Sequence, residues 1–149
     1  DVFCLEFLRS LFELRRHEPK LTLILVEEAQ NFSPQLQMQG QVRNIKIVTS
    51  LVTGGRKYGL QLLFTTQRIS MVDANVLANC NVQIFMRSSD FRDWKKIGNF
   101  IPDTLGISYD GHPGIRHFKD GEAVVLTPWT PSAHVRLREP TIELRRYVT

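Results

Sequence analysis

Leu21-Thr22-Leu23-Ile24-Leu25-Val26-Glu27-Glu28 is the stretch on which the fold turns: a nearly uninterrupted apolar run that stops abruptly at two acids. A run of this length and character reads as a strand buried on both faces, the kind found in parallel sheets covered by helices. Working outward, Leu60-Gln61-Leu62-Leu63-Phe64-Thr65 reads as a second such strand, ending at Thr66-Gln67-Arg68, and Val82-Gln83-Ile84-Phe85-Met86 as a third. Between the first two, Val42, Ile45, Val48 and Val52 recur at helical spacing, with Gly54-Gly55 or Gly59 able to end the helix. Between the second and third, Ser70 or Asp73 can cap a short helix through Leu77. Strand, helix, strand, helix, strand over about 21–87 is a parallel, right-handed βαβαβ unit.

On its N-terminal side, Leu5, Leu8, Leu11 and Phe12 predict an amphipathic helix from Val2 to about His17, with Pro19 just beyond it. On the C-terminal side, Ser89 or Asp90 can cap a helix carrying Phe91, Trp94 and Ile97 that finishes before Pro102. Residues 31–39 read as a polar surface loop and 103–119, with Gly106, Gly111, Pro113 and Gly114, as a long exposed one. Gly121 to Leu126 and Ala133 to Arg138 alternate well enough for two strands around Pro128-Trp129-Thr130-Pro131. They form a C-terminal β extension over about 120–149 that ends in a short basic tail from Pro140 to Thr149.

The 149 residues, 42% hydrophobic and 23% charged, fit a single globular domain over 1–149. No stretch approaches the length of an uncharged apolar span and the start has no leader pattern, so a soluble, cytoplasmic protein without a membrane segment is expected. The chain begins at Asp1 inside an apolar pattern, as a piece of something longer would. Cys4 and Cys80 stand far apart without metal spacing and are expected to be reduced, buried thiols. The net charge of +4 permits a polyanionic partner without demanding one. His17, His112, His117 and His134 show no ligand spacing, and no serine sits in GxSxG, which leaves zinc hydrolases and serine esterases without a basis.

Glu27 and Glu28 follow a buried strand directly, so they belong at its C-terminal end, where open α/β sheets place their ligands. A nucleotide hydrolase needs one carboxylate there to hold a water of the Mg²⁺ shell and another to orient or deprotonate the attacking water. Gln67 ends the next strand at the same edge and can donate to a γ-phosphate while accepting from that water. Arg56, in the glycine-flanked turn Gly54-Gly55-Arg56-Lys57-Tyr58-Gly59, could present a guanidinium to a phosphate held by a neighbouring subunit. Arg68 and Arg87 follow strands on the same expected edge and are candidates for a phosphate or DNA contact. The phosphate loop GxxxxGK[ST] is absent, so tight ATP binding by this chain alone is not expected.

These segments resemble a family. Leu23-Ile24-Leu25-Val26-Glu27-Glu28-Ala29-Gln30-Asn31-Phe32, Gly55-Arg56-Lys57-Tyr58-Gly59-Leu60, Thr66-Gln67-Arg68 and Val76-Leu77-Ala78-Asn79-Cys80-Asn81, in this order, are similar to the HerA/FtsK superfamily of hexameric DNA-translocating ATPases, the HerA branch above all. The resemblance implies a three-layer, RecA-like P-loop NTPase fold with a mainly parallel sheet, here without its Walker A half and followed by a C-terminal β-hairpin and tail. It implies Glu27 for Mg²⁺ through water, Glu28 for the attacking water, Gln67 as sensor and Arg56 as a trans-acting finger. For the full-length protein it implies ATP and Mg²⁺, a homohexameric ring, double-stranded DNA and a nuclease partner. A fragment of such a core should expose a sheet edge and apolar helix faces that the missing half covers.

Within the same class, a viral genome-packaging or conjugative DNA pump carries the same residues. A different class is a non-catalytic subunit or interaction module without a P-loop, which could complete a partner's site through Arg56. A third reading, a plain α/β domain binding single-stranded nucleic acid through Trp94, Trp129 and Tyr109, lacks the interleaving of aromatic and basic residues that stacks bases.

Overall fold

Helix α1 (Val2–His17) turns Leu5 and Leu8 inward while Arg15, Arg16 and His17 occupy its last turn, where positive charge suits the helix dipole. The structure is a computed structural model that describes residues 2–35, 42–101 and 114–138. It divides into two compact units between Asn81 and Val82, each described by itself.

In the first unit, strands β1 (Thr22–Val26) and β2 (Leu60–Phe64) pair in parallel, with Thr22 opposite Leu60 and Val26 opposite Phe64. Helix α2 (Val42–Gly54) supplies the crossover between them. Leu8 of α1, Leu51 of α2 and Leu60 of β2 form the core, against which Leu11, Phe12, Ile24, Ile47 and Leu62 pack. Burying each such leucine contributes roughly 1.5–3 kcal/mol. Both helices therefore cover one face of the strand pair.

The opposite face differs from the expectation of strands buried on both sides. Leu23 is 65% exposed, Leu25 56% and Leu63 51%. The period of two sends these side chains away from α1 and α2, and no described residue buries them.

Gly59 closes the far end of the strand pair. Its φ of 79° lies in the left-handed region, and a Cβ there would meet the Lys20 backbone at 2.7 Å. Its carbonyl accepts from the Thr22 amide at 2.9 Å, which fixes the starts of β1 and β2 side by side. After β2, a 3-10 turn (Ile69–Met71) leads to α3 (Ala74–Ala78), capped by the buried Asp73. The loop after β1 is anchored rather than free. Ser33 is fully buried, its carbonyl accepts from the Asp73 amide, and Pro34 bridges to Val72.

The second unit holds β3 (Gln83–Met86), α4 (Phe91–Gly98), β4 (Glu122–Leu126) and β5 (Ala133–Arg136). Asp90 caps α4 by accepting from the Arg92 amide. Within this unit the strands form one antiparallel sheet in the order β3-β4-β5. Strand β3 pairs antiparallel with β4, Phe85 opposite Val124, and β4 with β5, Val124 opposite His134. Strand β4 thereby supplies Val125, Val124 and Ala123 opposite Ile84, Phe85 and Met86 of β3. Ala123 and Val124 are fully buried in the middle of this sheet.

The stretch expected as an exposed loop over 103–119 ends in a 3-10 turn, Ile115–His117, with Ile115 and Phe118 buried. Two apolar anchors outweigh the glycine-rich composition that suggested exposure; residues 102–113 lie outside the described residues, as do residues 36–41 and the tail from 139. Cys4 and Cys80 are free thiols but half-buried rather than buried. Among the described residues, no helix is long and apolar enough to cross a membrane.

Candidate functional site

The backbone of Thr65 builds the site. Its amide donates to the Val26 carbonyl at 2.9 Å and its carbonyl accepts from the Ala29 amide at 3.0 Å. A regular parallel ladder leaves one residue between the two partners of Thr65; here both Glu27 and Glu28 lie between Val26 and Ala29, so the chain makes an excursion with one extra residue at the C-terminal end of β1. The excursion is completed by strain. Glu28 has φ 52° and ψ 54°, and it is the one non-glycine residue with positive φ among the described residues. A left-handed conformation costs an L-residue about 1–2 kcal/mol, and residues held so cluster where geometry serves function.

A short 3-10 turn, Ala29–Asn31, follows at once, with the Asn31 amide donating to the Glu28 carbonyl at 2.8 Å. Ala29 is 1% exposed, which buries the start of the turn beside its bond to Thr65. The turn brings Gln30 back over the acid. Gln30 Nε2 donates to Glu28 Oε2 at 2.6 Å, and Gln30 Oε1 accepts from Thr66 Oγ1 at 2.6 Å. Thr66 Oγ1 in turn accepts from the Arg68 amide at 3.0 Å.

The sequence-based candidates divide between two ends of the strand pair. Glu27, Glu28, Gln67 and Arg68 all lie at the C-terminal ends of β1 and β2, as parallel pairing requires. Glu27 is exposed and its carboxylate makes no hydrogen bond or ion pair among the described residues. Gln67 is likewise exposed, with its amide unengaged among them. Arg68 is exposed, its guanidinium 3.9 Å from Met71 Sδ.

Arg56 stands at the other end. It lies in the 3-10 turn Gly55–Tyr58 that precedes β2, exposed, in a turn held against α1 by the edge-on contact of Tyr58 with Phe12. The five residues of β2 alone span roughly 16 Å at about 3.3 Å each. Within one copy, therefore, Arg56 cannot share a phosphate with Glu28. Arg87 belongs to the second unit, where its guanidinium pairs with Asp120 at 3.1 Å on the surface.

The sequence reading passed over the roles of Gln30 and Thr66. Both stood inside the quoted motifs, and both can donate and accept at once, but only the fold brings them into contact. Among the described residues no three ligands gather as a ready metal cage. A Mg²⁺ ion needs none, since it is usually held by one or two carboxylates together with water and phosphate oxygens. The unengaged carboxylate of Glu27 fits that use.

The chain has known relatives in both sequence and fold. The chain is 28% identical over 124 residues to the DNA double-strand break repair helicase HerA of Pyrococcus furiosus, a match covering 81% of this chain and 21% of that protein. The chain thus spans about a fifth of the length of this curated relative. Among solved structures it is similar to the genome packaging NTPase B204 of Sulfolobus turreted icosahedral virus 2. The complex with ATP-gammaS gives a TM-score of 0.67 at 13% identity, over 93% of this chain and 63% of that one. The complex with AMP gives 0.66 at 14% identity, over 90% and 63%. No protein-family model matches. The chain is HerA-like in sequence, and the expected α/β class, with a parallel strand pair and a C-terminal hairpin, is borne out by the fold it shares with an NTPase.

Proposed function

We propose that this chain is the part of a RecA-like motor core that activates water and senses phosphate, in an ATP-dependent DNA translocase or helicase of HerA type. The observation that carries the reading is the excursion held by Thr65, which presents two adjacent acids, one of them on a strained backbone, beside the strand end that bears Gln67.

In this reading Glu28 orients the attacking water and draws off its proton, the role of a positioned general base. Gln67 donates from its amide to a γ-phosphate oxygen and accepts from the same water, holding the two in line. Glu27 holds a water of the Mg²⁺ shell, and the ion, when bound, supplies charge neutralisation on the phosphates. Arg56, at the far end of the strands, serves a site on the adjacent subunit and offsets transition-state charge there. Arg68 and Arg87 are assigned to phosphate or DNA contacts. The phosphate-cradling loop comes from elsewhere, in the same polypeptide or on a partner subunit, so that ATP sits between parts that no single stretch supplies.

The assembly implied is a homohexameric, cytoplasmic ring acting on double-stranded DNA, with a nuclease as a further partner. A genome-packaging pump would use the same chemistry, and the fold shared with the packaging NTPase favours it as the second reading.

The test is ATP hydrolysis, with and without duplex DNA, by the full-length protein together with whatever subunit bears the phosphate loop. Hydrolysis stimulated by DNA and reduced about 10²- to 10⁴-fold by Glu28→Gln is expected. Hydrolysis unchanged in Glu28→Gln would overturn the assignment, and an assembly that binds no ATP would make this chain a non-catalytic module.

A further inference from the structure

We propose that Gln30 is a positioning residue that ties the Glu28 carboxylate to the end of β2 through Thr66, so that the base and the neighbouring sensor strand are held in register. The inference rests on the reading of Glu28 as the base and adds two residues that act through it.

The polarity of the network fixes its own arrangement. The Arg68 amide can only donate, so it occupies a lone pair of Thr66 Oγ1 and leaves the threonine hydrogen to point at Gln30 Oε1. With its oxygen committed, Gln30 can meet Glu28 only through Nε2, the donor that a carboxylate requires. Flipping the amide would set oxygen against carboxylate and NH₂ against a hydroxyl whose hydrogen is free to turn, losing the charge-assisted bond. Two contacts of 2.6 Å therefore join Glu28 to Thr66, the second of them across 36 positions of sequence.

The link matters because of where Glu28 stands. Its side chain is exposed and would otherwise sample several rotamers, while a general base must keep hydrogen-bond reach of one water. Thr66 precedes Gln67 directly, so movement of the sensor is transmitted to the base through one amide. The requirement is specific to side chains that accept at one end and donate at the other. Leucine does neither, and glutamate would accept from Thr66 but repel Glu28. A neutral histidine has one donor and one acceptor nitrogen and can serve both.

The experiment uses the full-length ATPase assembly, with thermal midpoints taken first to establish that each variant is folded. Gln30→Leu and Thr66→Val are each expected to lower kcat about tenfold with KM for ATP unchanged, and the double variant to be no worse than either single one. Thr66→Ser and Gln30→His are expected to restore kcat to within about twofold of the parent. Should Gln30→Leu fail to fold, Gln30→Asn, which is too short to span both partners, takes its place. Unchanged kcat in Gln30→Leu while Glu28→Gln is inactive would overturn this proposal alone. So would Thr66→Ser losing as much as Thr66→Val, since the hydroxyl would then not be the operative group. An active Glu28→Gln would instead remove the underlying reading, and this proposal with it.

Discussion

Thr66 and Gln30, 36 positions apart in the chain, are joined by a 2.6 Å hydrogen bond from hydroxyl to side-chain carbonyl. The bond crosses from the end of β2 to the turn after β1. It exists because parallel pairing brings both strand ends to one edge.

The strain at Glu28 has a thermodynamic signature. Glycine adopts φ 52° without steric cost, so relative to Glu28→Ala, which loses the same carboxylate and its bond from Gln30, Glu28→Gly should raise the free energy of unfolding by about 0.5–1 kcal/mol, the relief being partly offset by glycine's greater freedom in the unfolded chain. The same change should abolish hydrolysis. Urea denaturation beside an ATPase assay checks both; Glu28→Gly less stable than Glu28→Ala would mean that the conformation is not strained.

Gly59 predicts the reverse sign. With φ 79° and the Lys20 backbone 2.7 Å from any Cβ, Gly59→Ala should destabilise the fold by about 2–4 kcal/mol. The neighbour is main chain and cannot swing aside. The midpoint of chemical denaturation measures it.

Asp73 holds two amides at the start of α3, those of Asn75 at 2.9 Å and Val76 at 3.3 Å. Asp73→Ala should cost about 1–2 kcal/mol, and Asp73→Asn distinctly less, because asparagine caps nearly as well. A urea series on the three proteins tests the ranking.

Burial pushes the Cys80 thiol above its ordinary range. The neutral form is favoured in the folded state, so the stability it lends is complete below the unfolded pKa and is lost as pH rises through the folded one. Alkylation of Cys80 in the native protein should be slow at neutral pH and accelerate only in the alkaline range, faster still in urea. Mass spectrometry of iodoacetamide-treated samples reads the rate; rapid labelling at neutral pH would contradict the burial.

Much of the secondary structure was legible in residue order. The capping of α4 by Asp90, the end of α2 at Gly54 and the hairpin of β4 and β5 followed from local chemistry that tertiary contacts did not override. The pairing of β3 was not legible, because an apolar run of that kind suits a parallel or an antiparallel neighbour equally. Nor was the burial of Ile115 and Phe118, where two side chains in a glycine-rich stretch find a core that composition does not reveal.

The candidate site divides in the same way. The residue types at Glu27, Glu28 and Gln67, each placed where an apolar run ends, were set by the sequence alone, since the C-terminal end of a buried strand is a local property of the pattern. The order of the motifs and the absence of a phosphate loop were equally fixed. Only the tertiary structure decided that Glu28 is left-handed and that Gln30 and Thr66 meet. Both depend on which strand neighbours which and in what register. That choice is made by long-range packing, and no window of sequence contains it.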